Sequence, residues 1–295
     1  MTPRPAFGFS VVAAFDVASG AAHADPSTDG ASLRFPVPEA QRPLTLPSLV
    51  LAPEAGFQVD RRPDEGTFGE LDVSASFGVT HDLAVHALVA PLQLWAPGGG
   101  GLRYGETNRN FGPGAGVTLG FVRGPVEIAA DLSGRVFTVA DLSGGSVTPS
   151  VLVRVHATEM LRLDVAPAVT LQFATQTTAP PVVSFGSGVA TPPPPSSSAN
   201  AVRVEVPVTL LGNLTPSFDV GVTTGLTIYD TSDVRSSTGI PAGLLFGYAV
   251  PGPHGPVLDV DPFFDFPYLV MPGRAAVTNT GQYQVGLTVR GYLYL

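Results

Sequence analysis

The sequence contains no cysteine and no lysine, since all 15 of its basic residues are arginine. Only 13% of its 295 residues are charged, about half the roughly 25% of an ordinary soluble domain. Without cysteine there are no disulfides, thiolate nucleophiles, cysteine-ligated zinc sites or iron–sulfur clusters. Without lysine there is no Schiff-base chemistry and no P-loop lysine. The net charge of −9 argues against nucleic acid as a partner, because phosphate binding needs clustered positive charge.

Long apolar runs are also missing, although 44% of the residues are apolar. The sequence has no run of about 18 apolar residues, which is the length that a transmembrane helix needs. Apolar residues instead recur at every second position, as in a strand. The predicted fold class is therefore all-β.

Twelve stretches carry this strand pattern, and most are about twice the usual strand length of 5 or 6 residues. A tilted strand that crosses a bilayer needs about 9–11 residues. The predicted strands are 48–60, 67–79, 83–94, 112–122, 126–139, 146–156, 161–175, 201–211, 216–231, 241–251, 256–271 and 283–295.

The alternation separates an apolar face from a polar face. Between Val202 and Leu210, every even position is Val or Leu. The connections add a second pattern: short links follow the even-numbered strands and longer links follow the odd-numbered ones, including residues 95–111 and 176–200. Transmembrane barrels alternate short periplasmic turns with long outer loops in this way. The sequence therefore predicts one closed antiparallel up-and-down transmembrane barrel of about 12 strands.

Prolines favour a different architecture. Pro167, Pro207 and Pro262 fall within predicted strands, and a closed barrel has no free edge at which a missing N–H is harmless. Bulges could accommodate them. A soluble secreted all-β protein with a binding or structural role therefore stays as an alternative.

The layout resembles a twelve-stranded Gram-negative outer-membrane β-barrel that ends in an apolar-alternating strand, here Tyr283 to Leu295. Leu295 departs from the Phe or Trp usual at that end. Residues 42–47, 78–94 and 247–252 are loosely similar to outer-membrane transporters of aromatic (phenol) degradation pathways. The resemblance implies residence in the outer membrane and contact with its lipid. It also implies recognition by the barrel-assembly machinery through the C-terminal strand.

The first residues have the pattern of a secretory signal. Arg4 precedes an apolar stretch at 6–15, and Ala22-His23-Ala24 forms a small-x-small cleavage site. The predicted organisation is a signal peptide at 1–24, a periplasmic leader segment at 25–43 and the barrel at 44–295.

If the apolar face contacts lipid, the polar face lines the lumen with ten carboxylates, five arginines and two histidines. We expect a passive channel for small solutes, including apolar or aromatic ones, with an acidic lumen. Because acidic groups select cations, this lumen should prefer cations. The predicted lumen residues are Glu70, Asp72, His86, Glu127, Asp131, Arg135, Arg154, His156, Arg162, Asp164, Arg203, Glu205, Asp219, Asp259, Asp261, Asp265 and Arg290.

Many of these charges are expected to pair across neighbouring strands. The expected pairs join Arg162 and Asp164 with Arg203 and Glu205, and Arg290 with Asp259 or Asp261.

We predict no metal site, no cofactor and no catalytic residue. Asp259 and Asp265 lie about 20 Å apart along one strand, too far for one ion to contact both. The sequence has neither a Gly-x-Ser-x-Gly nor a His-Glu-x-x-His motif. An outer-membrane enzyme with a site at the barrel rim stays as a second alternative.

Overall fold

The computed structural model describes residues 35–62, 66–89, 92–95, 103–104, 113–139, 142–176, 201–228, 231, 234, 238–272, 278 and 280–295. No helix among them is long and apolar enough to cross a membrane. The described residues form sixteen strand segments: β1 Val50–Arg62, β2 Gly66–Gly78, β3 Leu83–Leu88, β4 Leu92–Trp95, β5 Arg103–Tyr104, β6 Gly114–Val122, β7 Val126–Val139, β8 Leu142–Thr158, β9 Leu161–Val165, β10 Ala168–Gln176, β11 Ala201–Thr215, β12 Phe218–Ile228, β13 Thr238–Pro251, β14 Pro256–Val270, β15 Tyr283–Gly291 and β16 Leu293–Tyr294.

The segments combine into twelve antiparallel barrel strands, because β3 continues into β4, β5 into β6, β9 into β10 and β15 into β16. Each barrel strand pairs with its neighbours along the chain. The ring closes through β1, which pairs with β2 on one side and with β15 on the other. All twelve predicted strands overlap barrel strands, so the predicted closed twelve-stranded barrel is confirmed, and the alternative of a soluble all-β protein with its prolines on free edge strands is wrong.

The outer face of the barrel is apolar, and none of the described residues forms a second layer over it. Large apolar side chains in the middle of the strands are exposed, and this is the expected arrangement where lipid is the solvent. They include Val73, Val85, Leu119, Leu132, Val151, Leu171, Leu210, Val222, Leu226, Leu244, Val285 and Leu287.

Aromatic rings lie on the outer face toward both ends of the strands. At the end with the short turns, Phe121, Phe218 and Tyr248 are exposed. Toward the opposite end, Phe264 lies 4.9 Å from Phe266 and 5.9 Å from Tyr283, measured between ring centroids. Aromatic girdles of this kind mark the two membrane–water interfaces of transmembrane barrels.

Two of the strand prolines meet at one interruption of the sheet. β9 ends before Ala166 and Pro167, and β10 begins after them. Ala166 donates its N–H to the carbonyl of Pro207 on β11, at 3.1 Å. Since the N–H and C=O of a paired residue point to the same side, the donor that Pro207 lacks would also have faced this gap. The interruption therefore removes the conflict with a closed barrel for Pro167 and Pro207.

Gly225 completes the interruption on the next strand. It lies opposite Pro207 and adopts a φ of 150°. A Cβ at this position would lie 2.3 Å from the carbonyl oxygen of Val206. Only glycine fits so close to the neighbouring backbone.

Candidate functional site

The polar side chains of the strands lie on the inner face of the barrel. Of the seventeen predicted lumen residues, five are half-buried, namely Asp72, His86, Arg135, His156 and Asp261, and the other twelve are buried. The structure thus brings all of them to the interior. That they line a path for solutes stays a prediction.

The interior holds further polar residues that the sequence reasoning missed. Glu54, Gln58 and Asp60 on β1 are buried, and so is Gln284 on β15. The even-numbered positions of β1 alternate with Ala55, Phe57 and Val59. The same period-two rule could therefore have placed them on the polar face.

Directly opposed residues form an oblique row around the interior, which we call the polar row. The row starts on β7 near the short turns and ends on β1 near the opposite rim. Each member lies directly opposite the next member on the neighbouring strand. Its members are Glu127, Arg154, Asp164, Thr209, Thr223, Gly243, Asp265, Gln284 and Asp60.

Residues 35–47, here called the inner segment, lie inside the barrel at the end with the short turns. Phe35 donates its N–H to the carbonyl of His254 in the turn between β13 and β14. A 3-10 turn follows at Glu39–Gln41. Leu49 has a φ of 62° and connects the segment to β1. These residues include part of the predicted leader, and the predicted boundary at residue 43 stays a prediction.

Arg42 is the centre of the inner segment and is fully buried. Its guanidinium makes two hydrogen bonds to the Asp259 carboxylate, at 2.5 and 2.9 Å. Tyr292 donates its hydroxyl to the same carboxylate at 2.6 Å. The rings of Phe35 and Tyr292 lie 5.4 and 5.5 Å from the guanidinium carbon. A bidentate, ring-flanked arginine of this kind is held in one orientation.

Glu39 makes the second ionic contact of the inner segment. Its carboxylate forms ion pairs with Arg42 and with Arg162 on β9, the latter at 3.1 Å. Burial raises the pKa of Glu39, but the guanidinium groups of Arg42 and Arg162 outweigh burial and lower this pKa to about 2. Burial lowers the pKa of Arg42, but Glu39, Tyr292 and Asp259 raise it well above its ordinary value. Both groups are therefore charged at neutral pH.

The backbone of the inner segment is bonded to side chains of the barrel wall. Ala40 donates its N–H to Asn213 on β11 at 2.6 Å, and its carbonyl lies 2.8 Å from the Nδ1 atom of His156 on β8. Leu44 donates its N–H to Glu127 at 2.8 Å. At this end of the barrel, the segment thus makes polar contacts with β7, β8, β9, β11 and β14.

Two small apolar clusters pack the same segment. Phe35 and Leu46 pack with Val50, Ala52 and Tyr292. Leu44 packs with Ala129 and Leu152 on the wall, in a separate cluster. Burial of these side chains adds a hydrophobic contribution to docking.

The barrel resembles solved structures in fold. It matches a structure titled NanC porin with a TM-score of 0.52 and 10% identity, over 82% of this chain and 100% of that one. It also matches a KdgM porin, with a TM-score of 0.43 and 9% identity over 81% and 98%, and the translocator domain of autotransporter NalP from Neisseria meningitidis, at 0.47 and 11% over 84% and 89%. The fold is that of outer-membrane porin-like barrels. No protein-family model and no curated protein matches the sequence.

Two of the predicted charge pairs are wrong in their partners. Arg203 pairs with Glu205 on its own strand, and Arg162 pairs with Asp164 on its own strand, at 3.0 Å. In the register, β9 faces residues 208–212 of β11, so the two pairs lie at different heights.

The predicted pairing of Arg290 with Asp259 has a different outcome. Asp259 does lie directly opposite Arg290. The Arg290 guanidinium, however, donates to Glu54 on the other neighbouring strand, at 2.6 Å. Asp259 instead pairs with Arg42 of the inner segment, a residue that belongs to the predicted leader at 25–43.

The two interior histidines have neighbouring carboxylates. His86 Nδ1 lies 3.8 Å from Asp131 Oδ1, and Thr118 donates its hydroxyl to the same carboxylate at 2.8 Å. His156 Nε2 lies 3.3 Å from Glu127 Oε1. Within the described ranges, no group of three or more His, Asp or Glu residues has the geometry to hold a metal ion.

Proposed function

We propose that this protein is a passive outer-membrane channel for small solutes, including apolar or aromatic ones, whose periplasmic mouth is closed by the inner segment. The proposal depends on one observation. The barrel buries charged and polar side chains along its interior while it exposes apolar ones outside. A transmembrane barrel of this kind separates lipid from a polar interior that water and solutes can enter.

The charge of the interior supports a preference for cations. Several carboxylates lie on the wall formed by β14, β15, β1 and β2, where Arg290 is the partner of Glu54. Acidic groups along a pore favour the entry of cations. Among the described residues, the cation nearest Asp259 comes from the inner segment and not from the wall. Displacement of the segment would therefore leave the Asp259 carboxylate without this cation, while the net charge of the interior would stay the same because Glu39 leaves together with Arg42.

A passive role is better supported than catalysis at the rim. His156 is bonded to the inner segment through one ring nitrogen and lies beside Glu127 with the other. His86 is enclosed between Asp131 and Gly116, since a Cβ on Gly116 would lie 2.2 Å from its Nε2 atom. Ser76 lies directly opposite His86 in the register, but the Nε2 atom of His86 has no hydrogen-bond partner among the described residues, so that nitrogen is not bonded to a serine hydroxyl.

The test is solute entry into liposomes that contain the refolded protein. We expect small neutral and cationic solutes to enter faster than anions of the same size. A chain that begins at Ser48 should increase all of these rates, because it lacks the inner segment. Heat-modifiable gel migration identifies the folded barrel in each preparation. Impermeable liposomes with both folded proteins would refute the channel.

A further inference from the structure

The two ends of the polar row differ in whether their side chains have hydrogen-bond partners. Near the inner segment, Arg154 donates two hydrogen bonds to Asp164, at 2.8 and 2.9 Å. Farther along the row, Thr223, Asp265 and Gln284 are each at most 7% exposed. Among the described residues, no hydrogen-bond partner exists for Thr223 Oγ1, for Asp265 Oδ1 or for either amide atom of Gln284. Buried polar groups without partners are costly, so this part of the row is suited to a polar ligand.

Gly243 brings two of these side chains together. It lies between Thr223 and Asp265 in the register. A Cβ on Gly243 would lie 2.5 Å from Asp265 Oδ1 and 2.7 Å from the Cγ2 atom of Thr223. The carboxylate and the threonine side chain therefore meet over the space that glycine leaves.

An aromatic ring lies at the neighbouring same-face positions of β14 and β15. Phe263 lies two residues before Asp265, on the same face of β14. Its ring covers Gly286, because a Cβ on Gly286 would lie 2.4 Å from the Cζ atom of Phe263. Gln284 lies directly opposite Asp265, and Asp60 follows it on β1.

The chemistry of these groups selects a cation with N–H donors. Asp265 Oδ1, Thr223 Oγ1 and Gln284 Oε1 are acceptors, and a phenyl face attracts a positive charge. Four interior arginines have other partners: Arg42 pairs with Asp259, Arg154 with Asp164, Arg203 with Glu205 and Arg290 with Glu54. The described carboxylates do not form a metal-binding group, so an organic cation fits better than a metal ion.

We propose that Asp265, Gln284, Thr223 and Phe263 form a binding subsite for the primary ammonium group of a small organic solute. As a device that selects solutes, the subsite depends on the proposed channel function. As a binding site, it needs only the folded barrel.

The test is calorimetric titration of the full refolded chain in detergent micelles with n-butylammonium chloride. Sodium butyrate serves as the control of opposite charge. We expect saturable binding of butylammonium and none of butyrate. Asp265→Asn removes a charge-assisted hydrogen bond and should weaken binding by about tenfold. Gly243→Ala should weaken it as well, because the new methyl group separates Asp265 from Thr223. Asp82→Asn removes the same charge from an exposed turn and should leave binding unchanged.

Absence of saturable binding by the folded parent would overturn the subsite, and so would equal binding by the folded Asp265→Asn variant. Gly243→Ala keeps the carboxylate charge and therefore tests geometry separately. A barrel that binds butylammonium but passes no solute would refute the channel alone. A barrel that passes solutes without binding butylammonium would refute the subsite alone.

Discussion

At the scale of single residues, Arg42 connects the inner segment to the barrel. It is buried together with Asp259 and Tyr292, and its removal would leave the Asp259 carboxylate in the interior without its guanidinium. Loss of one partner of a buried ion pair typically costs about 3–5 kcal/mol. Docking of the segment should therefore depend on this residue more than on any apolar contact that the segment makes.

Glu39 gives the docked segment a defined response to acid. Its pKa lies at about 2, below the ordinary 4.5. A lowered carboxyl pKa contributes stability in full above the ordinary value, and the contribution is lost as the pH falls through the lowered one. We expect the Ala40 and Leu44 amides to keep most of their hydrogen-exchange protection at pH 4 and to lose much more of it near pH 2.

Glu39→Gln is the control for this prediction. It keeps the size of the side chain but removes the charge that Arg42 and Arg162 contact. Protection in the variant should be lower at neutral pH and should change less between pH 4 and pH 2. Identical protection profiles in the two proteins would show that Glu39 does not hold the segment.

At the scale of elements, the path of the inner segment depends on Gly78 at the end of β2. A Cβ at this position would lie 1.9 Å from the carbonyl oxygen of Pro47. We expect Gly78→Ala to destabilise the folded protein by about 1–3 kcal/mol, since a group added to a packed site forces the backbone to move. Denaturant unfolding in micelles measures the effect. Gly56→Ala is the matched strand control, because the nearest atom to its Cβ would be 3.8 Å away. Equal effects of the two substitutions would contradict the close approach at Gly78.

The strands themselves could be predicted from the sequence, because a barrel wall imposes a period of two on every strand. The stretch from Val202 to Leu210 shows this alternation, and it lies within β11. The charge partners could not be predicted in the same way. They depend on the register between strands, which shifted Arg162 and Arg203 to different heights.

The inner segment was beyond sequence reasoning for another reason. Residues 35–47 have no regular apolar period, and an irregular, proline-rich stretch of mixed polarity has the same pattern whether it lies in solvent or inside a barrel. Arg42 is recognisable as an interior residue only once Asp259 and Tyr292 are known to surround it. The hydrogen bonds from Arg42, Ala40 and Leu44 to the wall join the segment to residues far away in the sequence.

At the scale of the whole molecule, lipid contact on the outer face predicts that an arginine introduced there destabilises the barrel. The loss of stability should depend on how deep in the membrane the arginine lies. Val222 lies within β12 and is 48% exposed, whereas Leu214 lies near a short turn and is 61% exposed. An arginine on the lipid face costs about 2–4 kcal/mol at the midplane and about 0–1 near the interfaces. We expect Val222→Arg to destabilise the barrel in bilayers by the larger amount and Leu214→Arg by the smaller. Reversible unfolding from liposomes measures both, and equal small costs would contradict a lipid-facing strand.

The most direct test of a channel closed by its own inner segment is single-channel current in planar bilayers. Three folded proteins are compared: the full chain, the chain that begins at Ser48 and the full chain with Arg42→Ala. We predict little current from the full chain and larger, longer openings from the other two, because both free the mouth that Arg42 and Asp259 hold shut. The same current from all three folded proteins would contradict a channel that is closed by its inner segment.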